Sequence, residues 1–270
     1  MKRIILTLLF LFILCGTSHA RMLQGVAGSV PASSPTGACQ SATQGEDGTT
    51  YLLCEDLGGS TSCASGYSSN CRVTWTIARD QASPHLVDFD SSPSIDIGGT
   101  YSLFLDASDG GGTDGPYITY IFGSAQSAIH GFTRYKFSGT DPGGTRVIYT
   151  IASGGTSRSQ VSIQSNKKLH VSCGVAGTDT TNTLDSGTTY NVWYGYVDGT
   201  NSTCYVCFTP TSTTSRPDYT TDTAQCTYTA SGTNVGTVNK IGLGTSSATN
   251  PDHTFGHMRF SSSALTAFPD

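Results

Sequence analysis

Between Thr188 and Phe208, apolar and polar side chains alternate along two arms separated by Asp198-Gly199-Thr200-Asn201. In the first arm Asn191, Trp193, Gly195 and Val197 fall on one face, and Tyr190, Val192, Tyr194 and Tyr196 on the other. In the second arm Cys204, Val206 and Phe208 oppose Tyr205 and Cys207. A period of two in β-branched and aromatic residues, broken by Asp-Gly, predicts a β-hairpin. Its two aromatic-rich faces predict a sheet covered on one side and used on the other.

The same alternation recurs along the chain. It predicts strands at Tyr51 to Glu55, Val73 to Ile77, His85 to Phe89, Tyr101 to Asp106, Pro116 to Phe122, Phe132 to Phe137, Arg146 to Ala152, Gln160 to Gln164 and Lys168 to Cys173. After the hairpin come Gln225 to Thr229, Val238 to Gly242 and Phe255 to Phe260. Gly, Ser, Asn or Asp bounds these segments, and no amphipathic helix pattern interrupts them. Many short strands at close spacing predict an all-β sandwich or barrel. Residues 49–265 are long enough for one such domain with a sizeable core.

The amino-terminal part has a different pattern. Lys2 and Arg3 precede an apolar run from Ile4 to Leu14, and Ser18-His19-Ala20 sets small residues at the two positions a signal peptidase reads. Residues 1–20 therefore read as a secretory signal peptide. The apolar run falls short of the ~20 residues a membrane span needs. Processing as a lipoprotein at Cys15 would require a small residue before it, where Leu14 stands. Residues 21–48 are rich in Gly, Ser, Pro and Ala and read as a flexible leader or tether.

Charge is sparse, at 12% Asp, Glu, Lys and Arg, with a formal net charge of −5. No basic run exists, so the electrostatic footprint of a nucleic-acid binder is missing. No later segment is apolar enough to span a bilayer. Beyond Cys15 there are eight cysteines, an even number that in an exported chain predicts disulfides. Cys63 and Cys71 flank a Gly/Ser/Asn loop and are expected to pair. Cys39 with Cys54 and Cys207 with Cys226 come next, leaving Cys173 with Cys204 by elimination. Zinc at Cys204 and Cys207 is disfavoured, because their sulfurs leave opposite faces of one strand and no second pair of ligands accompanies them.

Four segments together resemble a family. Tyr51-Leu-Leu-Cys-Glu-Asp-Leu-Gly-Gly59 is similar to the LLCEDFEG opening of one bacterial branch of the concanavalin A-like, laminin-G-like domains, with leucine and glycine replacing its phenylalanine and glutamate. Gly99-Thr-Tyr-Ser-Leu103, the strand from Gly187 to Tyr194, and Phe255-Gly-His-Met-Arg-Phe-Ser261 follow in the family's order. His257 stands where the last strand usually carries Asp. The resemblance covers Tyr51 to Leu265. It implies a two-sheet antiparallel jelly-roll β-sandwich in an exported bacterial protein, with a concave face that often binds glycans. The fold also hosts glycanases and lyases, so it does not fix function.

The family alignment places Trp193 in the core and Tyr194 and Tyr196 on the concave face; parity then extends that face to Tyr205. By the same alternation His170, Gln160 and Arg134 point outward from their strands. Flat tyrosines beside amide, imidazole and guanidinium donors suit sugars, whose apolar faces stack on rings and whose hydroxyls need partners. Asp106, Asp109 and Asp114 lie in a glycine-rich turn able to offer hard oxygen ligands to Ca2+. A calcium site joining Glu55 or Asp56 to the last strand would also fit the family. Catalysis has less support. Retaining glucanases of this fold need paired carboxylates about 5 Å apart, and Glu46 and Glu55, the only glutamates, have no E-x-D-x-x-E setting. Alginate-lyase-type relatives use Gln, His, Tyr and Arg, which His170, Tyr194, Tyr196 and Arg134 imitate without the matching motifs. The expectation is a secreted or cell-surface, non-catalytic carbohydrate-binding domain whose partner is a polysaccharide or glycan. A structural subunit of a surface layer, filament or particle coat is the first alternative, and a polysaccharide lyase the second.

Overall fold

The computed structural model describes residues 38–79, 87–92, 94–97, 99–106, 115–139, 142–244, 251–267 and 269. Among them are seventeen strands and no helix. The first eight are β1 (Cys39–Ser41), β2 (Gln44–Gly45), β3 (Leu53–Glu55), β4 (Thr76–Arg79), β5 (Val87–Ser91), β6 (Ser102–Leu105), β7 (Tyr117–Gln126) and β8 (Ala128–Ser138). Then come β9 (Arg146–Ser153), β10 (Thr156–Ile163), β11 (Lys168–Cys173), β12 (Ala176–Thr183), β13 (Tyr190–Val197), β14 (Thr203–Pro210), β15 (Cys226–Ala230), β16 (Val238–Gly244) and β17 (Asp252–Ser261).

Two antiparallel sheets make a sandwich, as the alternation and the family resemblance both predict. The seven-stranded sheet runs β12-β11-β10-β9-β16-β7-β4; the eight-stranded sheet runs β15-β14-β13-β8-β17-β6-β5, with β3 added on β17. Late strands return between early ones. β16 lies between β7 and β9, and β17 between β6 and β8. Inward positions of both sheets fill one core, with Ile118, Ile151, Val161, Val171 and Ile241 from one side and Leu105, Ile129, Tyr135, Val192 and Phe255 from the other.

The hairpin is β13 and β14, paired from Tyr190 with Pro210 to Val197 with Thr203. Both of its faces are buried, which corrects the expected division into a covered and a used face. Tyr190, Val192, Tyr194 and Tyr196 enter the inter-sheet core. Trp193, Tyr205 and Cys207 form a second cluster with Phe132 and Cys226 on the outer side. Residues 211–225 cover that side. The Cys207–Cys226 disulfide anchors this strap. Asn191 Nδ2 donates to the Thr213 carbonyl at 2.8 Å. Tyr219 stacks on Tyr205 with ring centroids 4.4 Å apart.

Two further differences have local causes. β12 carries no bulky apolar residue, so alternation does not reveal it. It is a polar edge strand, held by pairs such as His170 with Asp179, and polar edges resist adding strands from other chains. The folded part also begins earlier than position 49. β1 and β2 pair with each other, Cys39 is bonded to Cys54, and the Cys39 amide donates to Asp56 Oδ2 at 2.7 Å. At the other end Ala267 bridges to Ser215, beyond the expected limit at 265.

The remaining disulfides are Cys63–Cys71 and Cys173–Cys204, so all four pairings agree with those expected. Cys173–Cys204 joins β11 of one sheet to β14 of the other through the core.

Candidate functional site

The strap packs on the eight-stranded sheet; among the described residues, the outer face of the seven-stranded sheet carries a cleft lined by Tyr117, Thr150, Gln160 and Lys240. Strand register builds a row across that face. Thr119 on β7 pairs with Gly242 on β16, and Gly242 with Thr150 on β9. Thr150 pairs with Gln160 on β10, Gln160 with Ser172 on β11, and Ser172 with Gly177 on β12. The row crosses six strands, about 24 Å at ~4.8 Å per strand spacing. Its side chains are small or polar, so the floor is low and rich in hydrogen-bonding groups.

Taller residues border the row. Tyr117 leans diagonally over Gly242, where a Cβ would lie 2.2 Å from the tyrosine hydroxyl oxygen. Only glycine admits the ring there. Lys240 stands on the other border, between Ile121 and Ala152. These groups enclose a shallow cleft of about 270 Å³ that Thr150, Ser157 and Gln160 also line. At the far end the His170 ring lies over Gly177, where a Cβ would be 2.4 Å from Nε2. Its Nδ1 is 2.6 Å from Asp179 Oδ1, which orients the ring.

The expected site residues are divided by this architecture. Gln160 and His170 point outward on neighbouring strands of this face, as parity requires. Tyr194 and Tyr196 do not join them: they are 1% and 0% exposed, respectively. Tyr194 stacks on Tyr149 at 4.1 Å and lies over Gly131. Among the described residues its hydroxyl has no partner, and burial raises its pKa well above the ordinary tyrosine value. The Tyr196 hydroxyl donates to the Gly236 carbonyl. Both strand faces are apolar, and the Tyr194 ring fills space left by Gly131, so alternation alone does not tell core from surface.

Tyr205 pairs with Gly195, which puts it on the Trp193 side and corrects the expected parity with Tyr194 and Tyr196. It is buried under the strap. Its hydroxyl is 2.9 Å from His130 Nδ1 and accepts from Arg216 Nη1 at 2.8 Å. Burial raises its pKa to about 12, against the opposing pull of Arg216. Arg134 lies on the outer side of the eight-stranded sheet, away from Gln160 and His170. Its Nη1 contacts the Ile95 carbonyl at 3.5 Å.

The calcium expectations meet two different outcomes. Asp109 and Asp114 lie outside the described residues; Asp106, the third candidate, is described and half-buried just after β6. Near the last strand the carboxylates are already engaged. Glu55 accepts backbone N–H groups of Leu57, Arg72 and Val73. Asp56 accepts Arg72 Nε at 2.9 Å and the Gly58 amide at 3.0 Å. Asp96 accepts the His257 amide at 2.6 Å. Among the described residues no group of three or more His, Cys, Asp or Glu is placed to hold a metal ion.

The strand pattern includes Tyr117, Thr150 and Lys240 without singling them out as site residues. A signal was present. Tyr117, Thr119 and Ile121 alternate with Ile118, Tyr120 and Phe122, and Lys240 interrupts an apolar strand just before Gly242. What the sequence lacks is the order of strands, which sets β16 against β7 and makes those positions neighbours.

No protein-family model matches the chain, and no curated protein matches it. Solved structures do. The endo-β-1,4-glucuronan lyase of the fungus Trichoderma reesei aligns with a TM-score of 0.50 at 13% identity, covering 82% of this chain and 99% of that one. An alginate lyase of polysaccharide lyase family 7 aligns with a TM-score of 0.44 at 10% identity, covering 69% and 93%. Trypanosoma rangeli sialidase aligns with a TM-score of 0.40 at 12% identity over 61% of this chain; the aligned part spans about a quarter (26%) of the sialidase. At these identities the likeness is one of fold. It agrees with the two-sheet antiparallel jelly-roll sandwich that the strands form.

Proposed function

We propose that the protein is an exported glycan-binding domain, and that the outer face of the seven-stranded sheet is its binding surface. The observation that carries this reading is the row from Thr119 to Gly177, with Tyr117 seated over Gly242 at one end. A polysaccharide lying across the strands would meet a ring for its apolar faces, and Thr, Ser and Gln groups for its hydroxyls. At the ~4.8 Å strand spacing the row is about 24 Å long, enough for several sugars of an extended chain. Four disulfides fit an oxidising compartment, in keeping with the secretory segment. No helix among the described residues is long and apolar enough to cross a membrane.

Binding without catalysis is the reading we adopt over a lyase. Tyr117 and His170 are the described aromatic groups on this face able to transfer a proton. They stand on β7 and β11, four strand spacings or ~19 Å apart. Acid and base must both reach one substrate within hydrogen-bonding distance, so this pair does not serve a single elimination.

The test is retention on immobilised neutral, uronic and sulfated polysaccharides, comparing wild type with a Tyr117→Ala/Gln160→Ala double variant. We expect at least one polysaccharide to bind wild type and to lose about tenfold or more in affinity with the double variant, since losing two polar or stacking contacts removes ~1–3 kcal/mol. Binding that persists in a folded double variant would move the site elsewhere. Absence of binding to every polysaccharide would favour the structural-subunit reading. Unsaturated products appearing as ultraviolet absorbance would restore the lyase.

A further inference from the structure

Lys240 gives the cleft a charge preference. We infer, on the basis of the binding surface proposed above, that the preferred ligand is an acidic glycan, with one carboxylate or sulfate seated against this ammonium. The chain as a whole is acidic, with 19 Asp and Glu against 14 Lys and Arg. The residues lining the cleft reverse that balance. They include Lys240 and no carboxylate.

The setting of Lys240 makes its charge available. It projects from β16, in the middle of the sheet, with Ile121 and Ala152 as direct cross-strand neighbours. Neither neighbour is able to neutralise it, and among the described residues it makes no ion pair. Asp179, the carboxylate at the far end of this face, is four strands from β16 and is engaged by His170. Lys240 is also half-buried. Partial desolvation strengthens attraction to an anion relative to a fully exposed lysine, whose ion pairs contribute little. Gln160, Thr150 and the Tyr117 hydroxyl are neutral, so they read hydroxyls and ring faces without distinguishing an acidic sugar from its neutral counterpart. Among the described residues that line the cleft, discrimination therefore rests on Lys240.

That division of labour is testable with matched ligands. β-1,4-Linked glucose and mannose hexasaccharides are compared with the same chains oxidised at C6 to carboxylates, by calorimetric titration at low salt. We expect an acidic chain to bind about tenfold tighter than its neutral partner, the factor a hydrogen bond to a charged group gives. Lys240→Gln should abolish the preference, so that the acidic and neutral chains bind it with equal affinity. Lys240→Arg should keep the preference. Raising salt should narrow the gap, because the pair is only partly shielded from solvent. Equal affinities in wild type, or a preference that survives Lys240→Gln, would overturn the charge assignment and leave the groove intact. Failure of all four chains to bind folded wild type would overturn both the groove and the assignment that rests on it.

Discussion

Tyr117 and Gly242 fit together on adjacent strands: a Cβ at position 242 would stand 2.2 Å from the Tyr117 hydroxyl oxygen and 2.6 Å from its ring. Gly242→Ala should lift the ring off the sheet. The expected cost is about 1–3 kcal/mol of stability, as for overpacking, with a drop in glycan affinity. Adding Tyr117→Ala should recover part of that stability, because neighbouring sites couple. Denaturant titrations of the two single variants and the double variant give the coupling. Simple additivity would mean that the ring does not rest on that glycine.

Trp193 and Tyr194 are adjacent in sequence and buried on opposite sides of β13. Truncating either to alanine should destabilise by about 3–5 kcal/mol. The sequence reading leads one to expect a large loss only for the tryptophan. Urea unfolding of both variants decides; a small loss for Tyr194→Ala would contradict its place against Tyr149.

The Cys173–Cys204 bond closes a loop with a sequence separation of 31, against 8 for Cys63–Cys71. In the chain-entropy picture, replacing the first pair by alanines costs about 3–4 kcal/mol and the second about 2–3 kcal/mol. Thermal unfolding of the two double variants should preserve that order. The reverse order would show that the inter-sheet link contributes less than its loop length implies.

His253 is fully buried, with Nδ1 2.9 Å from the Tyr135 hydroxyl, and desolvation lowers its pKa from 6.5 to about 3. Between those values the unfolded chain takes up a proton that the folded chain refuses. Stability therefore falls as pH drops through that window. Glu55 acts in the opposite sense: burial raises its pKa from 4.5 to about 7, so its contribution weakens as pH rises across that range. Subtracting the stability curve of His253→Gln from that of wild type cancels Glu55. The difference should be level above about pH 7 and fall by at most ~1.4 kcal/mol per pH unit toward pH 4. A difference that stays level to pH 4 would mean that His253 protonates in place.

Most strands were legible because alternation is local. The arms of the hairpin, β11 and β16 follow from their own residues. Pairing of the cysteines followed from spacing and from the even count. The face assignment was not local. β13 has large side chains on both sides, and what sends Tyr194 inward is Gly131 on β8, sixty-odd positions earlier in the chain. Tyr205 depends in the same way on Gly195 across the hairpin. Gln160 and His170 were readable because Val161, Ile163, Leu169 and Val171 mark the inner side of their strands without ambiguity. Tyr117 and Lys240 required knowing that β16 inserts between β7 and β9.

Because the row runs across the strands, successive sugars of a bound chain would each rest on a different strand. Thr150, Gln160 and Ser172 come from β9, β10 and β11, whose connecting turns can vary independently. A substitution on one strand then retunes one position of the ligand and leaves the next untouched. Specificity on such a surface can drift one sugar at a time, as letters change within a word whose length is kept.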